Sequence, residues 1–136
     1  METERIKVVA RYANGRVLKG YTQDFFPNKD RFHLFPAEKP DTLGVDVFLK
    51  DLKAIFLVRD FAGDSQYVER KRYLKGEKPS GRKLEVTFLD GELVVGATLG
   101  YDRNRPGFFI LPADPKSNNV RIFVVASAVK NVRLLG

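Results

Sequence analysis

The chain of 136 residues is long enough for one ordinary domain or for two very small ones, and 43% of its residues are apolar. It has no cysteine, which excludes disulfides, thiolate zinc sites and cysteine nucleophiles, and its net charge of +7 favours polyanionic or acidic partners. The first residues form no apolar signal region, and no apolar run approaches the roughly 20 residues that span a bilayer. The sequence therefore predicts a cytoplasmic protein without integral membrane association.

The sequence repeats itself at a distance of 76 residues. This shift pairs Lys7 with Lys83, Gly15 with Gly91, Gly20 with Gly96, Thr22 with Thr98, Asn28 with Asn104, Phe32 with Phe108 and Pro36-Ala37 with Pro112-Ala113. With one extra residue in the second copy, the alignment continues through Leu52 with Val129 and Ile55 with Val132. The repeat predicts two copies of one unit by internal duplication, residues 1–59 and 83–136, joined by a basic linker, residues 60–82.

The first copy is predicted to form five strands. Residues 6–12 alternate apolar and polar side chains, which is typical of a half-buried strand. Asn14-Gly15 then predicts a type I′ hairpin turn, in which both central residues have positive φ. Gly20 lies inside the long second strand, 16–24, where a glycine indicates a sharp bend or a close backbone approach. Three short strands complete the copy, at 31–35, 45–49 and 54–58.

The second copy repeats this pattern after the linker. The linker contains too few apolar residues for a third core, although Tyr67, Val68, Tyr73 and Leu74 can dock on a neighbouring unit. Asp90-Gly91 predicts the second hairpin turn, and Gly96 the second bend. Strands are predicted at 83–88, 92–101, 107–111, 120–125 and 129–135. Because no segment has a helical period, the fold class is all-β, with two tandem five-stranded bent barrels of the Sm-like or SH3-like kind.

The segment "LEVTFLDGELVVGATLGYD", residues 84–102, resembles the first motif of the Sm-like (Sm/LSm) family of small bent barrels. That motif consists of alternating apolar residues, an Asp-Gly or Asn-Gly turn, a mid-strand glycine and an aromatic or apolar residue followed by Asp. The segment "VVARYANGRVLKGYTQDFF", residues 8–26, follows it more loosely, since Phe26 replaces the Asp. The resemblance implies RNA binding. The second motif of the family is absent from the turns between the fourth and fifth strands, "VFLKDLKAI" and "FVVASAVKNV".

Other phrases, among them "GFFILPADPKSNN", resemble an uncharacterised bacterial domain associated with PilZ-type regulators. The PilZ signature itself, a spaced arginine pair followed by Asp/Asn-x-Ser-x-x-Gly, is not found in the chain. The resemblance therefore implies a signalling accessory role, and the sequence argues against a direct cyclic-di-GMP site of the PilZ type.

The sequence predicts a non-enzymatic protein without a cofactor. The only histidine, His33, lies in a third strand and aligns with Phe109, which is typical of a half-buried structural residue. With one histidine and no cysteine, the chain cannot assemble a thiol–imidazole pair or a zinc cluster. The four serines fall in predicted turns or the linker, and residues 76–83 lack the spacing of a phosphate-binding loop.

The candidate nucleic-acid-binding residues are basic and amide side chains in three segments. They are Asn28, Lys29 and Arg31 in the first copy, Arg103, Asn104 and Arg105 in the second, and Arg70, Lys71 and Arg72 in the linker. The cations can neutralise phosphates and the asparagines can read a base edge, while Phe25, Phe26 and Tyr101 either stack on bases or plug the barrel mouths. Between residues 69 and 83, seven basic and two acidic side chains give the linker its charge.

Two functions follow from these features. The first is regulatory binding of RNA or single-stranded nucleic acid through the basic and aromatic loops. The second is a protein-interaction or signalling accessory domain that acts with PilZ-type regulators and contacts no nucleic acid. The sequence leaves the ligand, the protein partner and self-association open, and a homo-oligomer with two units per chain is one of the arrangements it allows.

Overall fold

The computed structural model describes residues 5–39, 43–63 and 66–136, and it confirms an all-β protein. The described residues form ten strands and two 3-10 turns, Leu49–Asp51 and Ala126–Ala128. The first half contains β1 (Ile6–Tyr12), β2 (Val17–Thr22), β3 (Arg31–Pro36), β4 (Val45–Phe48) and β5 (Leu52–Val58). The second half contains β6 (Arg82–Phe88), β7 (Leu93–Thr98), β8 (Gly107–Pro112), β9 (Asn119–Val125) and β10 (Val129–Leu134). Within these ranges no helix is long and apolar enough to cross a membrane.

All ten strands belong to one antiparallel sheet in the order β10-β6-β7-β8-β9-β5-β1-β2-β3-β4. The halves are joined by the pairing of β5 with β9, in which Ile55 faces Phe123. Among the described residues the sheet is not closed, and β4 and β10 are its two outer edges. The expectation of two separate barrels is therefore not confirmed, because the backbone hydrogen bonds run from one half into the other.

Each half uses the same strand registers. The shift of 76 relates the pair Ile6↔Thr22 to Arg82↔Thr98, and Gly20↔Pro36 to Gly96↔Pro112. For the fourth and fifth strands the shift is 77, because of the extra residue in the second copy. The pair Val8↔Leu57 then corresponds to Leu84↔Leu134, and Phe32↔Val47 to Phe108↔Val124. Equivalent positions of the sequence repeat are therefore equivalent positions of the sheet.

The first hairpin does not have the predicted type I′ turn. Within this hairpin, positive φ is confined to Gly15, at +95°. No non-glycine residue that the structure describes has positive φ. The Gly15 N–H donates to the carbonyl of Tyr12, and the Tyr12 N–H donates to the carbonyl of Arg16. The turn therefore lies one residue earlier, with Gly15 as the left-handed residue that follows it, which is the usual three-residue hairpin loop. The turn at Gly91 has the same hydrogen bonds.

The mid-strand glycines lie where β2 and β7 cross their neighbours at short range. A β-carbon added to Gly96 would overlap the carbonyl oxygen of Leu111 and Cγ2 of Ile110. A β-carbon on Gly20 would meet the Phe35 carbonyl and the Leu34 side chain in the same way. The sequence-based explanation of these glycines as sites of close backbone approach is thus confirmed.

The hydrophobic core consists of two clusters, and β5 contributes to both. Ala54, Phe56 and Val58 pack in a cluster made mainly by the second half. Ile55 and Leu57, which point to the opposite face, pack in the cluster of the first half. Because β5 is covered on both faces, its whole length is apolar except Lys53. Each half therefore depends on the other to complete its core.

Candidate nucleic-acid interface

A cleft of about 1000 Å³ lies where the two halves meet. We call it the junction cleft. Four segments line it, two from each half: Pro27, Asn28, Lys29 and Asp30; Phe48, Leu49 and Lys50; Asn104, Arg105, Pro106 and Gly107; Val125, Ala126 and Ser127. The first and third segments are the loops before β3 and β8, the third extending to Gly107 at the start of β8. The other two begin at Phe48 and Val125, the last residues of β4 and β9, and continue into the turns that follow.

The cleft brings equivalent segments of the repeat side by side. The repeat relates Asn28 to Asn104 and Lys29 to Arg105, and in the turns it relates Lys50 to Ser127. This juxtaposition results from the β5–β9 pairing, which places the second half beside the first in the same sheet. A ligand in the cleft would thus meet two similar chemical surfaces in succession.

The charge of the cleft is positive. Lys29, Lys50 and Arg105 line it against the single carboxylate of Asp30. The Arg105 side chain is 71% exposed, and its Nε is 3.9 Å from Asp102 Oδ2, which leaves most of its donors available. The Lys29 ammonium lies 5.1 Å from the ring centroid of Phe26, the residue before Pro27 of the lining. The electrostatic attraction for an anion therefore comes from both halves.

Two of the predicted basic residues lie beside the cleft without lining it. The Arg31 guanidinium lies over the ring of Phe48, a lining residue, 5.7 Å from its centroid. Arg103 is exposed in the loop before β8. Of the nine predicted binding residues, four line the junction cleft: Asn28, Lys29, Asn104 and Arg105.

Two of the three candidate stacking aromatics are packed against other rings. Phe25 makes edge contacts with Phe32 of its own half and with Phe109 and Phe123 of the other, at centroid distances of 5.3, 6.1 and 5.5 Å. Tyr101 packs in the same way on Phe108, at 4.9 Å. These contacts support the interpretation of both as core plugs. Phe26 differs, since 47% of its surface is exposed.

The linker docks on the second half through Asp114, which precedes β9. The Asp114 carboxylate is 4% exposed and accepts hydrogen bonds from the Tyr67 hydroxyl and from the backbone N–H groups of Arg70 and Lys116. The Arg70 N–H and the Tyr67 hydroxyl together lower the pKa of Asp114 to about 2. Tyr67 thus docks as the sequence suggested, whereas Val68 is 87% exposed.

The predicted linker cations are separated from the junction cleft. Asp114 follows the Pro112 end of β8 whereas the cleft lies at its Gly107 end, a strand length of roughly 20 Å away. Arg70 is held by Glu77, with 2.6 Å between Nη1 and Oε1, and Lys71 lies 3.1 Å from Glu69. Arg72 is exposed. The structure therefore does not join the linker and the loops into one continuous basic groove.

Because the pKa of Asp114 is lowered in the folded state, its contribution to stability is present above pH 3.8 and is lost as the pH falls towards 2. Asp114→Asn is expected to reduce the free energy of unfolding by about 1–3 kcal/mol at neutral pH, since the amide cannot accept the same three hydrogen bonds as an anion. Urea unfolding at pH 7, 4, 3 and 2 should show the difference from the wild type shrinking between about pH 4 and 2.

Asp51→Asn is the matched control, since this carboxylate is exposed in the first 3-10 turn. It should leave the same pH series nearly unchanged. A stability difference for Asp114→Asn that stayed constant with pH would refute the ionic origin of the contact.

His33 forms the other polar cluster, at the outer edge formed by β4. Its Nδ1 is 2.6 Å from Asp24 Oδ2 and its Nε2 is 3.1 Å from Asp46 Oδ1. Hydrogen bonding to Asp24 and the negative charge beside the ring raise the pKa of His33. The His33 side chain is 52% exposed, and its ring is held between two carboxylates. Among the described residues, no group of three or more potential ligands could hold a metal ion.

Lys50 and the two turns are the parts of the cleft that were missing from the sequence-based list. No binding residue was predicted in the turns between the fourth and fifth strands, where the second Sm-like motif is absent. One signal was available in the sequence, because the repeat aligns Phe48, Leu49 and Lys50 with residues 125–127. The partners of the adjoining strands were unknown, so this alignment alone did not bring the two turns together. Their meeting depends on the β5–β9 pairing, which no local pattern specifies.

A family model described as a family of unknown function (DUF6982) matches residues 4–136. No curated protein and no solved structure matches the sequence.

Proposed function

We propose that the chain, which belongs to DUF6982, a family of unknown function, is a non-enzymatic module that binds single-stranded nucleic acid, RNA above all, in the junction cleft. The observation that carries this proposal is the repetition of the cleft's lining. Asn28 with Lys29, and Asn104 with Arg105, present an amide and a cation twice in succession. A repeating polymer of phosphates and bases can contact both copies in the same way, which a small ligand cannot.

The chemistry of the walls favours a single strand over a duplex. Besides the three cations, the lining is largely apolar, with Pro27, Phe48, Leu49, Pro106 and Val125. Unstacked bases can bury their faces against such walls while their phosphates meet Lys29, Lys50 and Arg105. A duplex exposes its phosphates but keeps its bases stacked, so it would leave the apolar walls without a partner.

The same proposal includes a structural relationship between each half and the bent five-stranded Sm-like barrels. It is supported by the hairpin glycine and the mid-strand glycine at equivalent places in both halves, where β2 and β7 pass close to β3 and β8. The proposed binding site does not depend on this kinship, because it is argued from the lining of the cleft.

A protein partner is the second candidate function, and one observation favours it. Phe26, the residue before Pro27 of the lining, is 47% exposed, and the walls of the cleft are mainly apolar, which suits an aromatic or aliphatic anchor from another protein. A signalling accessory role beside PilZ-type regulators would use this surface. It predicts no affinity for nucleic acid.

Fluorescence anisotropy separates the two functions. Labelled single-stranded RNA and DNA of about 12 nucleotides, a duplex of the same length, a mononucleotide and cyclic-di-GMP are each titrated at ~50 and ~150 mM salt. We expect micromolar or tighter binding of the single strands that persists at ~150 mM salt, and at least about tenfold weaker binding of the duplex and the mononucleotide. Binding that vanishes with salt, or equals that of the duplex, would contradict the proposal, and no binding at all would favour the protein partner.

A further inference from the structure

The two outer edges of the sheet, β4 and β10, are the counterparts of the two strands that pair at its centre. Within the chain β9 pairs with β5, and the repeat relates β4 to β9 and β10 to β5. A second copy could in principle extend the sheet through the same pairing, β4 against β10. We propose that the outer edges are built to reject this contact, so that the sheet ends after two units and the chain is a monomer.

The first difference between the inner and outer edges is on β4. At the centre, Phe123 of β9 is 2% exposed and packs against Phe109 of β8, with ring centroids 5.0 Å apart. At the outer edge the same two positions are occupied by Asp46 and His33, which form a polar contact of 3.1 Å. Pairing in the central register would place the Asp46 carboxylate opposite Val132, as Phe123 lies opposite Ile55. Burying a charge against an apolar side chain is strongly unfavourable.

The second difference is on β10. At the centre, Ala54 and Phe56 of β5 are 0% and 6% exposed, because they pack in the cluster of the second half, to which Ile122 and Val124 of β9 belong. Their counterparts on β10 are Asn131 and Arg133, and the Arg133 guanidinium is already paired with Glu85 at 3.0 Å. Charged side chains on edge strands are a known means of preventing edge-to-edge association.

The third difference concerns a buried lysine. At the centre, Lys53 is 8% exposed and its ammonium contacts Glu92 and, at 2.7 Å, Asp90. Its counterpart in the second half is also a lysine, Lys130, but Asp90 and Glu92 correspond to Asn14 and Arg16 in the first half. A further copy would therefore bring Lys130 against an amide and a like charge instead of two carboxylates.

These three differences all act at one contact, and each replaces a favourable group of the centre by an unfavourable one. The central junction is thus selective: it joins the first half to the second within one chain and to nothing beyond it. Since the junction cleft forms where β5 pairs with β9, a monomer carries one junction cleft in the part of the chain that the structure describes. The inference about the edges is independent of what the cleft binds.

The test converts the outer edges to the residues of the centre. One variant carries His33→Phe with Asp46→Phe on β4, and a second carries Asn131→Ala with Arg133→Phe on β10. We expect the wild type and each variant alone to sediment as monomers of 15.5 kDa. An equimolar mixture of the two variants should form a heterodimer, with the mass doubled, because only the mixture offers two compatible edges. Adding Asn14→Asp and Arg16→Glu to the first variant should tighten this heterodimer at least about tenfold.

Circular dichroism and thermal melting of each variant establish that it is folded. A control variant carries Arg72→Phe with Lys75→Phe, at two exposed linker positions, and measures nonspecific association caused by exposed phenylalanines. A wild type that associates through its edges at micromolar concentration would overturn the proposal. It would equally be overturned if the two variants were folded but failed to associate when mixed. The same holds if the linker control bound the β10 variant as tightly as the β4 variant binds it.

Discussion

Gly96→Val is expected to lower the free energy of unfolding by at least about 3 kcal/mol, which corresponds to a fall of roughly 10 °C or more in Tm. The reason is the crossing of β7 over β8, where any β-carbon overlaps the Leu111 carbonyl oxygen and the Ile110 side chain. The Leu111 carbonyl belongs to the backbone, so rotating a side chain cannot relieve the overlap. The strands must instead separate at the centre of the second half, beside Ile110, which is fully buried.

Gly100→Ala is the matched control for this substitution. It lies in the same segment of chain, but a β-carbon there has no neighbour within 4 Å and its φ is not in the left-handed region. Its effect should stay within about 1 kcal/mol, with a small stabilisation from the stiffer unfolded chain. Thermal and urea unfolding of the three proteins give the comparison. A Gly96→Val protein that melts with the wild type would mean that β7 and β8 do not cross as closely as described.

The second large effect is expected from reversing the charge of the junction cleft. Lys29→Glu combined with Arg105→Glu changes one cation from each half, and the two occupy equivalent positions of the repeat. Affinity for a single-stranded oligonucleotide should fall by about tenfold or more. The dependence of log K on log salt should become shallower by about 1.4, since two phosphate contacts are lost at roughly 0.7 each.

Lys75→Glu with Lys116→Glu makes the same change in net charge at two exposed positions outside the cleft. If the cleft is the site, this variant keeps most of its affinity and its salt dependence. Equal losses in both variants would mean that binding follows the overall charge of the protein and not the cleft. Because all four positions are exposed, both variants should melt within a few degrees of the wild type.

The sequence predicted what depends on neighbouring residues. Alternation of apolar side chains located the strands, and the paired glycines located the hairpins and the strand crossings. Glycine is informative there because a tight turn or a close approach of two strands leaves no room for a β-carbon. The predicted type of the hairpin turn was wrong. The same Asn-Gly pair also fits a turn that begins one residue earlier, in which only Gly15 has positive φ.

The sequence did not predict how the halves join, because strand pairing between distant segments has no local signature. One signal was nevertheless available in β5 itself. Residues 54–58 form an unbroken apolar run, typical of a strand covered on both faces, whereas their counterparts in β10 include Asn131 and Arg133. The contrast marks β5 as central and β10 as an edge. It indicates that β5 has a strand on each side, but it does not specify β9 as the second partner, and so the position of the turn that carries Lys50 could not be predicted.

The most direct test of the cleft as the binding site is photo-crosslinking of a 4-thiouridine oligonucleotide to the wild-type protein, with the crosslinked peptides identified by mass spectrometry. We expect crosslinks in both loops of the cleft, around Asn28 and around Asn104, in the same preparation. Crosslinks confined to the linker around Arg72, or to one loop alone, would contradict this expectation, because the proposal depends on a strand that contacts both halves at once.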